Sequence, residues 1–273
     1  LYPSKWLNAF SASMDESTAA RTAKLPFVKQ VKRIPKVRLE MDALPPMDAR
    51  GGYSTGFSHG QIAMLGLNKL HQNGYNGHGI LISMMDNGFR DADKNPFLSH
   101  LFETDRILAT RDFVNHEDNV YNQGDHGAFT LSILGAWSES NDDNDYWFMG
   151  TAHGATFILC HTENDASETS QEEDNWVAAM EFADSLGADI FSTSLGYADL
   201  DSAGYAYADM DGNTTIITIA ADMAASKGIV VLNSAGNSGA AKMLAPSDGD
   251  SVISVGAVNA ARMIAGFSSQ GPS

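Results

Sequence analysis

The sequence is short of cysteine, of basic residues and of long apolar runs. Cys160 is the one cysteine among 273 residues, so no internal disulfide can form. No segment stays apolar over the about 20 residues that a membrane-spanning helix needs. Only 17 residues are Lys or Arg against 34 Asp or Glu, which leaves a net charge of −17. This balance argues against nucleic acid and anionic membrane surfaces as partners.

The first residues of the sequence do not have the pattern of a secretory leader. The chain opens on LYPSKWLNAF, without the basic and apolar regions of a leader, so we expect a processed or trimmed form. A hydrophobic fraction of 43% is enough for a sizeable core, and 273 residues fit a single large α/β unit.

Composition divides the chain into three stretches. Residues 1–37 form a small unit in which WLNAFSAS and VKQVKRI are predicted strands, and DESTAARTAKL is a predicted helix with Asp15 as its N-cap. Residues 38–57 contain a Pro-Pro pair, a Gly-Gly pair and little periodicity, which is typical of a linker. Residues 58–273 alternate apolar runs with helical stretches and form the main predicted domain.

Five apolar runs in this domain have the length of strands. They are ILISMM (80–85), TFILC (156–160), DIFSTS (189–194), IVVLNS (229–234) and SVISVGA (251–257). Helical periodicity marks residues 173–186 and 214–227, and Gly187 and Gly228 stand where these helices are expected to end. Because the runs are continuously apolar, the sequence predicts an α/β fold with a mostly parallel sheet covered by helices on both faces.

Polar side chains follow several of these strands. Asp86 ends the first run, Ser194 lies at the end of the third, and Asn237 follows the fourth, while His126 opens a predicted helix in GDHGAFTLSILGA. The carboxyl ends of parallel strands meet at one edge of the sheet, where ligands bind. A carboxylate, an imidazole and an amide at that edge are suited to orienting a base and stabilising an oxyanion.

Ordinary structural interpretations compete with this one. Asp-Asn-Gly at Asp86 is common turn chemistry, and a histidine beside glycine is usually only solvated. AGNSG could also be a phosphate-binding loop, but such a loop opens a long helix. Pro246 interrupts the segment that follows, which argues against this interpretation. GYNGHG has glycine spacing reminiscent of a dinucleotide site. In such a site the glycines follow a strand, whereas GYNGHG precedes its strand and is not placed to bind a dinucleotide.

The motifs and their order resemble the subtilisin-like serine peptidase family. ILISMMDNGF is similar to the family's aspartate strand, DHGAFTLSILGA to its His-Gly-Thr helix, STSLG to its substrate-binding strand and NSAGNSG to its oxyanion-hole motif. With SVISVGAVNAARMIAGFSSQGPS, the resemblance runs from about residue 56 to residue 273. HGQIAMLGLNKLHQNGYNGHGI and WVAAMEFADSLGADIFSTSLGY look more particularly like secreted subtilases of bacteria related to Bacteroides. Residues 1–37 resemble the C-terminal half of an inhibitory propeptide.

This resemblance implies roles for the site residues. His126 would be the general base, and Asp86 would orient it. Asn237 would donate its amide to the tetrahedral oxyanion. Ser194, Leu195 and Gly196 would pair with an extended peptide by strand addition. The implied partners are polypeptide substrates and the protein's own propeptide, and the implied location is secreted or at the cell surface.

The family's Gly-Thr-Ser segment, which carries the nucleophile, is absent from this sequence. The family places it well beyond the oxyanion asparagine, and 36 residues follow Asn237. We therefore expect the serine beyond Ser273, a C-terminally incomplete catalytic domain and an inactive 273-residue chain. Ala128 and His153 also stand where the family usually has threonine and proline. The alternative is a pseudopeptidase that keeps the peptide groove without catalysis.

Metal ligands cannot be assigned from the sequence. The implied reaction requires no cofactor, and the eight histidines show no zinc-binding spacing. DMDGN (209–213) lacks the distal glutamate of an EF-hand loop. Glu168, Glu172 and Glu173 are typical of a helix N-terminus. A structural calcium on an acidic loop is left open.

Overall fold

The structure is a computed structural model. It describes residues 2–33, 38–39, 56–139, 146–165, 169–198, 205–241 and 243–271. The strands are β1 (Tyr2–Ser4), β2 (Ala9–Ser11), β3 (Arg38–Leu39), β4 (Leu81–Asp86), β5 (Ile107–Asp112), β6 (Trp137–Glu139), β7 (Tyr146–Met149), β8 (Thr156–His161), β9 (Ile190–Thr193), β10 (Tyr197–Ala198), β11 (Val230–Ser234) and β12 (Ile253–Val255). The α-helices are α1 (Glu16–Thr22), α2 (His59–Met64), α3 (Leu67–Gln72), α4 (Ser99–Glu103), α5 (His126–Gly135), α6 (Gln171–Ser185) and α7 (Ile216–Ser226).

Six strands form a parallel sheet in the order β12-β11-β9-β4-β8-β5. After β4 the chain adds β5 and β8 on one side, then crosses over to add β9, β11 and β12 on the other. The side on which the chain adds its next strands therefore switches at β4, although all strands stay parallel. A crevice is expected at the carboxyl end of a strand at such a switch point.

All five predicted strands lie in this sheet, and β5 was missed. The sequence of β5 is ILATRD, in which a short apolar start is followed by polar residues. Its strand conformation comes from pairing along the edge of β8, which the local pattern does not show.

Helices cover both faces of the sheet, which confirms the predicted α/β class. Phe157 and Leu159 of β8 share a buried cluster with residues of α4 and α5. The alternate residues, Ile158 and Cys160, share the other cluster with residues of α6 and α7. Successive side chains of a strand point to opposite faces, so one continuously apolar strand contributes to both layers.

Residues 2–33 form a hairpin and a helix. Strands β1 and β2 pair antiparallel, and the Asp15 carboxylate accepts a hydrogen bond from Thr18 N at 2.7 Å as the N-cap of α1. The strand predicted at VKQVKRI is wrong for residues 28–33, which the structure describes without a strand. Val28 and Val31 are three residues apart, so they do not share one face of a strand.

The predicted linker contains a short strand. Arg38 and Leu39 form β3, which pairs antiparallel with β10, with Leu39 opposite Tyr197 and Arg38 opposite Ala198. The rest of this stretch up to residue 55 lies outside the described residues. An N-terminal segment therefore reaches the strand that follows residues 194–196.

Candidate active site

Asp86 lies at the topological switch point of the sheet. It is the last residue of β4 and is 1% exposed. Its Oδ1 accepts hydrogen bonds from His126 Nδ1 at 2.7 Å and from Asn87 N at 2.9 Å. Its Oδ2 accepts one from Thr130 Oγ1 at 3.1 Å. Donors from three residues therefore hold this buried carboxylate in one orientation.

The contact with Asp86 sets the tautomer of His126. With Nδ1–H donating to the carboxylate, a neutral imidazole carries its lone pair on Nε2. Nε2 is the atom that a general base uses in the serine peptidase arrangement. The ring is 8% exposed, so the carboxylate can stabilise the imidazolium with little screening by water.

Glycine allows helix α5 to begin close to β4. A Cβ at Gly127 would lie 2.3 Å from the carbonyl oxygen of Gly88 and 2.9 Å from Asp86 Cβ. Gly88 itself has φ 121°, a conformation that side chains other than glycine rarely adopt. Gly127, next to His126, and Gly88, two residues after Asp86, thus permit the close approach of the two side chains.

Thr130 and Asn87 are site residues that the sequence analysis missed. Thr130 lies one helical turn after His126, and this i, i+4 spacing was a usable signal because both side chains project from one face of α5. Asn87 was interpreted only as a turn residue. Its Oδ1 accepts a hydrogen bond from His126 N at 3.2 Å, and its Nδ2 donates to Asp165 Oδ1 at 3.1 Å.

Ser194, Leu195, Gly196 and Asn237 lie at the same edge of the sheet as Asp86. The first three follow β9, the neighbour of β4, and Asn237 follows β11, the next strand. Two strand spacings are roughly 10 Å. The structure therefore places these residues along one edge, and their roles stay predictions.

Asn233 joins these two segments. Its Nδ2 donates to Leu195 O at 3.0 Å, which ties the end of β11 to residues 194–196. Leu244 packs beneath both, since a Cβ at Gly196 would lie 2.6 Å, and one at Gly236 2.5 Å, from Leu244 Cδ1. No local pattern in the sequence marks Asn233, because its partner depends on which strands are neighbours.

Two of the buried carboxyl groups near the start of α6 accept hydrogen bonds from tyrosines. Tyr197 donates its hydroxyl to Glu163 Oε1 at 2.5 Å, and Tyr205 donates to Glu173 Oε1 at 3.0 Å. Burial raises the pKa of Glu163 and of Glu173 to about 8. As predicted, Glu172 and Glu173 lie in the first turn of a helix. Glu168 lies outside the described residues.

Metal-ligating side chains do not cluster in the part of the chain that the structure describes. No group of three or more His, Cys, Asp or Glu side chains there is placed to hold an ion. None of the described helices is long and apolar enough to cross a membrane.

The sequence matches a known family. The sequence model of the Subtilase family, Peptidase_S8, matches residues 77–273, and the chain belongs to this family. Subtilisin E of Bacillus subtilis (strain 168) is 27% identical over 274 residues, which cover 98% of this chain and 60% of that protein. The thermophilic serine proteinase of Bacillus sp. (strain AK1) is 30% identical over 166 residues, or 61% of this chain and 37% of that protein.

A solved structure agrees in fold. The prenylagaramide maturation protease PagA superposes with a TM-score of 0.54 and 18% sequence identity, over 76% of this chain and 64% of that chain. At this identity the likeness concerns the fold alone. The chain spans about 60% of the length of the first curated relatives that it matches.

Proposed function

We propose that the protein is a serine endopeptidase in which Asp86 and His126 are two members of the catalytic triad. The observation that carries this proposal is the 2.7 Å hydrogen bond between the buried Asp86 carboxylate and His126 Nδ1, at the switch point of a subtilase sheet. His126 Nε2 takes the proton of a serine hydroxyl, whose oxygen attacks the peptide carbonyl carbon. The imidazolium then protonates the leaving amine, and water hydrolyses the acyl ester.

Asn237 and residues 194–196 bind the substrate in this proposal. The Asn237 amide donates to the oxyanion, and the backbone of residues 194–196 pairs with an extended peptide. The pairing of β3 with β10 supports strand addition, because an extended segment already lies antiparallel to the strand that follows Gly196. Asn233 supports it as well, since its bond to Leu195 O fixes this backbone next to β11.

The nucleophilic serine lies beyond Ser273 in this proposal. The sheet ends at β12, where Ile253 is 51% and Val255 48% exposed, and Ile264 in the segment after it is 52% exposed. Ile253 and Val255 share one face of β12, and exposed apolar side chains on one face of an edge strand often contact another segment or partner. A downstream segment that packs on β12 would bring the serine to the same edge of the sheet.

Residues 1–37 are proposed to be the C-terminal part of an inhibitory propeptide, the protein's own partner. The Glu181 carboxylate of α6 accepts hydrogen bonds from Ser4 Oγ at 2.6 Å, Lys5 N at 3.0 Å and Trp6 N at 3.2 Å. Trp6 and Leu7 pack against the core cluster that includes α6 and α7. The hairpin is therefore docked on the catalytic domain, and the chain that follows it leads to β3 beside the substrate segment.

The composition of the chain and its likeness to subtilisins indicate the partners and the location of the proposed enzyme. Its substrates are polypeptides, and its net charge of −17 disfavours nucleic acid and membrane surfaces as partners. Likeness to subtilisins supports a secreted or cell-surface location for a zymogen of this kind. The proposed chemistry uses side-chain and backbone groups without a cofactor, and structural calcium stays a prediction.

A fluorophosphonate probe, which phosphonylates activated serines with loss of fluoride, tests this proposal. The 273-residue chain and a longer protein that continues past Ser273 are incubated with the probe, with His126→Ala in the longer protein as the control. We expect the longer protein alone to be labelled, because the base is effective only beside a serine hydroxyl. The control should lose labelling.

Two outcomes would contradict the proposal. Labelling of neither protein would favour the alternative, a pseudopeptidase that binds peptides without cleaving them. Stoichiometric labelling of the 273-residue chain would place the nucleophile among its own serines instead.

A further inference from the structure

A second carboxylate is fixed beside the proposed base. Asp165 follows β8, the neighbour of β4, and its side chain is exposed at the edge of the sheet that carries Asp86. Asn87 Nδ2 donates to both oxygens of this carboxylate, at 3.1 and 3.4 Å. The other end of the same amide, Oδ1, accepts a hydrogen bond from His126 N at 3.2 Å. One asparagine side chain therefore sets the position of Asp165 relative to His126.

The charge of Asp165 is not compensated by a cation within the part of the chain that the structure describes. The described ion pairs of this region join Arg90 to Asp125 at 2.9 Å and Arg111 to Asp118 at 2.8 Å, and none includes Asp165. The Asn87 amide that bonds to Asp165 is neutral and brings no compensating charge. Such a carboxylate attracts a positive charge that comes from outside the protein.

The position of the carboxylate indicates where that positive charge would lie. A general base must lie within about 3 Å of the proton that it removes, so a substrate residue next to the scissile bond lies against His126. The side-chain amide of Asn87 connects Asp165 to the His126 backbone by one hydrogen bond on each side. The long side chain of Lys or Arg can span this separation and place its cation on the carboxylate.

We infer that Asp165 is a specificity-determining residue, which selects peptides with Lys or Arg close to the scissile bond. The inference rests on the proposed peptidase function and names its substrate class. A merely structural role for Asp165 would require only an acceptor for the Asn87 amide, which an asparagine would also supply. Selection of a cation requires the negative charge itself. The two roles are therefore separated by Asp165→Asn, which keeps the acceptor and removes the charge.

The experiment uses the longer protein and matched peptides that carry either arginine or citrulline, its neutral isostere, at the residues flanking the scissile bond. The quantity measured is the ratio of kcat/KM for the arginine and citrulline peptides, so any loss common to both peptides cancels. We expect a ratio of about two to five, up to the largest effect usual for a solvent-accessible ion pair, that falls as salt is added.

Variants assign the preference to one carboxylate. Asp165→Asn should bring the ratio to about one, and Asp165→Glu should restore part of it. Glu103→Gln, which removes the same charge from an exposed position on α4, should keep the ratio of the unsubstituted protein. Equal cleavage of both peptides by the unsubstituted protein, or an unchanged ratio in Asp165→Asn, would overturn the inference.

A binding measurement separates failure of this inference from failure of the peptidase proposal. If the protein cleaves neither peptide, fluorescence anisotropy measures the dissociation constants of the same labelled pair. Tighter binding of the arginine peptide that is lost in Asp165→Asn would support the inference without catalysis. Equal binding of the arginine and citrulline peptides would overturn it.

Discussion

Gly127 keeps the proposed base at hydrogen-bond distance from its carboxylate. The residue follows His126 in α5, and an added Cβ would meet backbone rather than a flexible side chain, 2.3 Å from Gly88 O. Neither partner can move without displacing the end of β4 or the start of α5. The distance between His126 Nδ1 and Asp86 Oδ1 thus depends on the absence of one methyl group.

Gly127→Ala should therefore impair catalysis in the longer protein. A misplacement of catalytic groups by about 1 Å costs about 10²-fold in rate, and overpacking costs about 1–3 kcal/mol of unfolding free energy. Peptide hydrolysis and denaturant unfolding measure the two effects. Gly60→Ala in α2 is the control, because its Cβ would have no heavy atom within 4 Å. Equal activity of the two variants would show that α5 can shift without consequence.

Helix α6 connects the sheet to the N-terminal hairpin. As the crossover from β8 to β9, it contributes Trp176 and Met180 to the core, both 0% exposed. Glu181, the next residue after Met180, faces the hairpin and accepts hydrogen bonds from Ser4, Lys5 and Trp6. One helix thus packs inward on the sheet and outward on the proposed propeptide.

Glu181→Ala should loosen the hairpin without unfolding the sheet. Each hydrogen bond to a charged group contributes about 1.5–3 kcal/mol, so the amides of Lys5 and Trp6 should exchange at least 10-fold faster with deuterium. Amides of β4 and β8 should keep their protection. Glu103→Ala on α4 is the control and should leave the exchange of the hairpin unchanged. Unchanged protection of Lys5 and Trp6 in Glu181→Ala would remove this carboxylate from the docking contact.

The protein as a whole is acidic, yet it encloses carboxyl groups that favour the neutral form. Glu163 and Glu173 are 0% exposed, and burial raises the pKa of each to about 8 from the ordinary value of 4.5. The folded state therefore binds more protons than the unfolded state between these two pH values. Stability is highest at the low end of this window and falls as the pH rises toward about 8.

Glu163→Gln should flatten this dependence. Each such carboxyl contributes up to about 1.4 kcal/mol per pH unit to the slope of the unfolding free energy. Glutamine is neutral at every pH and keeps an acceptor for Tyr197, so the variant should lose the contribution of Glu163 and keep that of Glu173. Urea unfolding at intervals between pH 5 and about 8 measures the slopes. The same slope in both proteins would mean that Glu163 is ionised in the fold.

Local patterns predicted much of the fold and part of the site. The five apolar runs became strands of one sheet because continuous burial leaves a signal in adjacent residues. Asp86 and His126 were identified because each stands at the boundary of an element, Asp86 at the end of an apolar strand and His126 at the start of a helix. The strand predicted at VKQVKRI was wrong over residues 28–33, where the valines are three residues apart.

The sequence by itself determined the α/β class, the order of the motifs and the residues at the strand ends. Only the tertiary structure decided which of those ends are neighbours. Asp165 reaches Asn87 across 78 positions, and Ser4 reaches Glu181 across 177, because β8 lies beside β4 and the hairpin lies on α6. Periodicity records whether a residue is buried, but a contact between distant side chains depends on strand order. That order is set by the packing of the whole sheet.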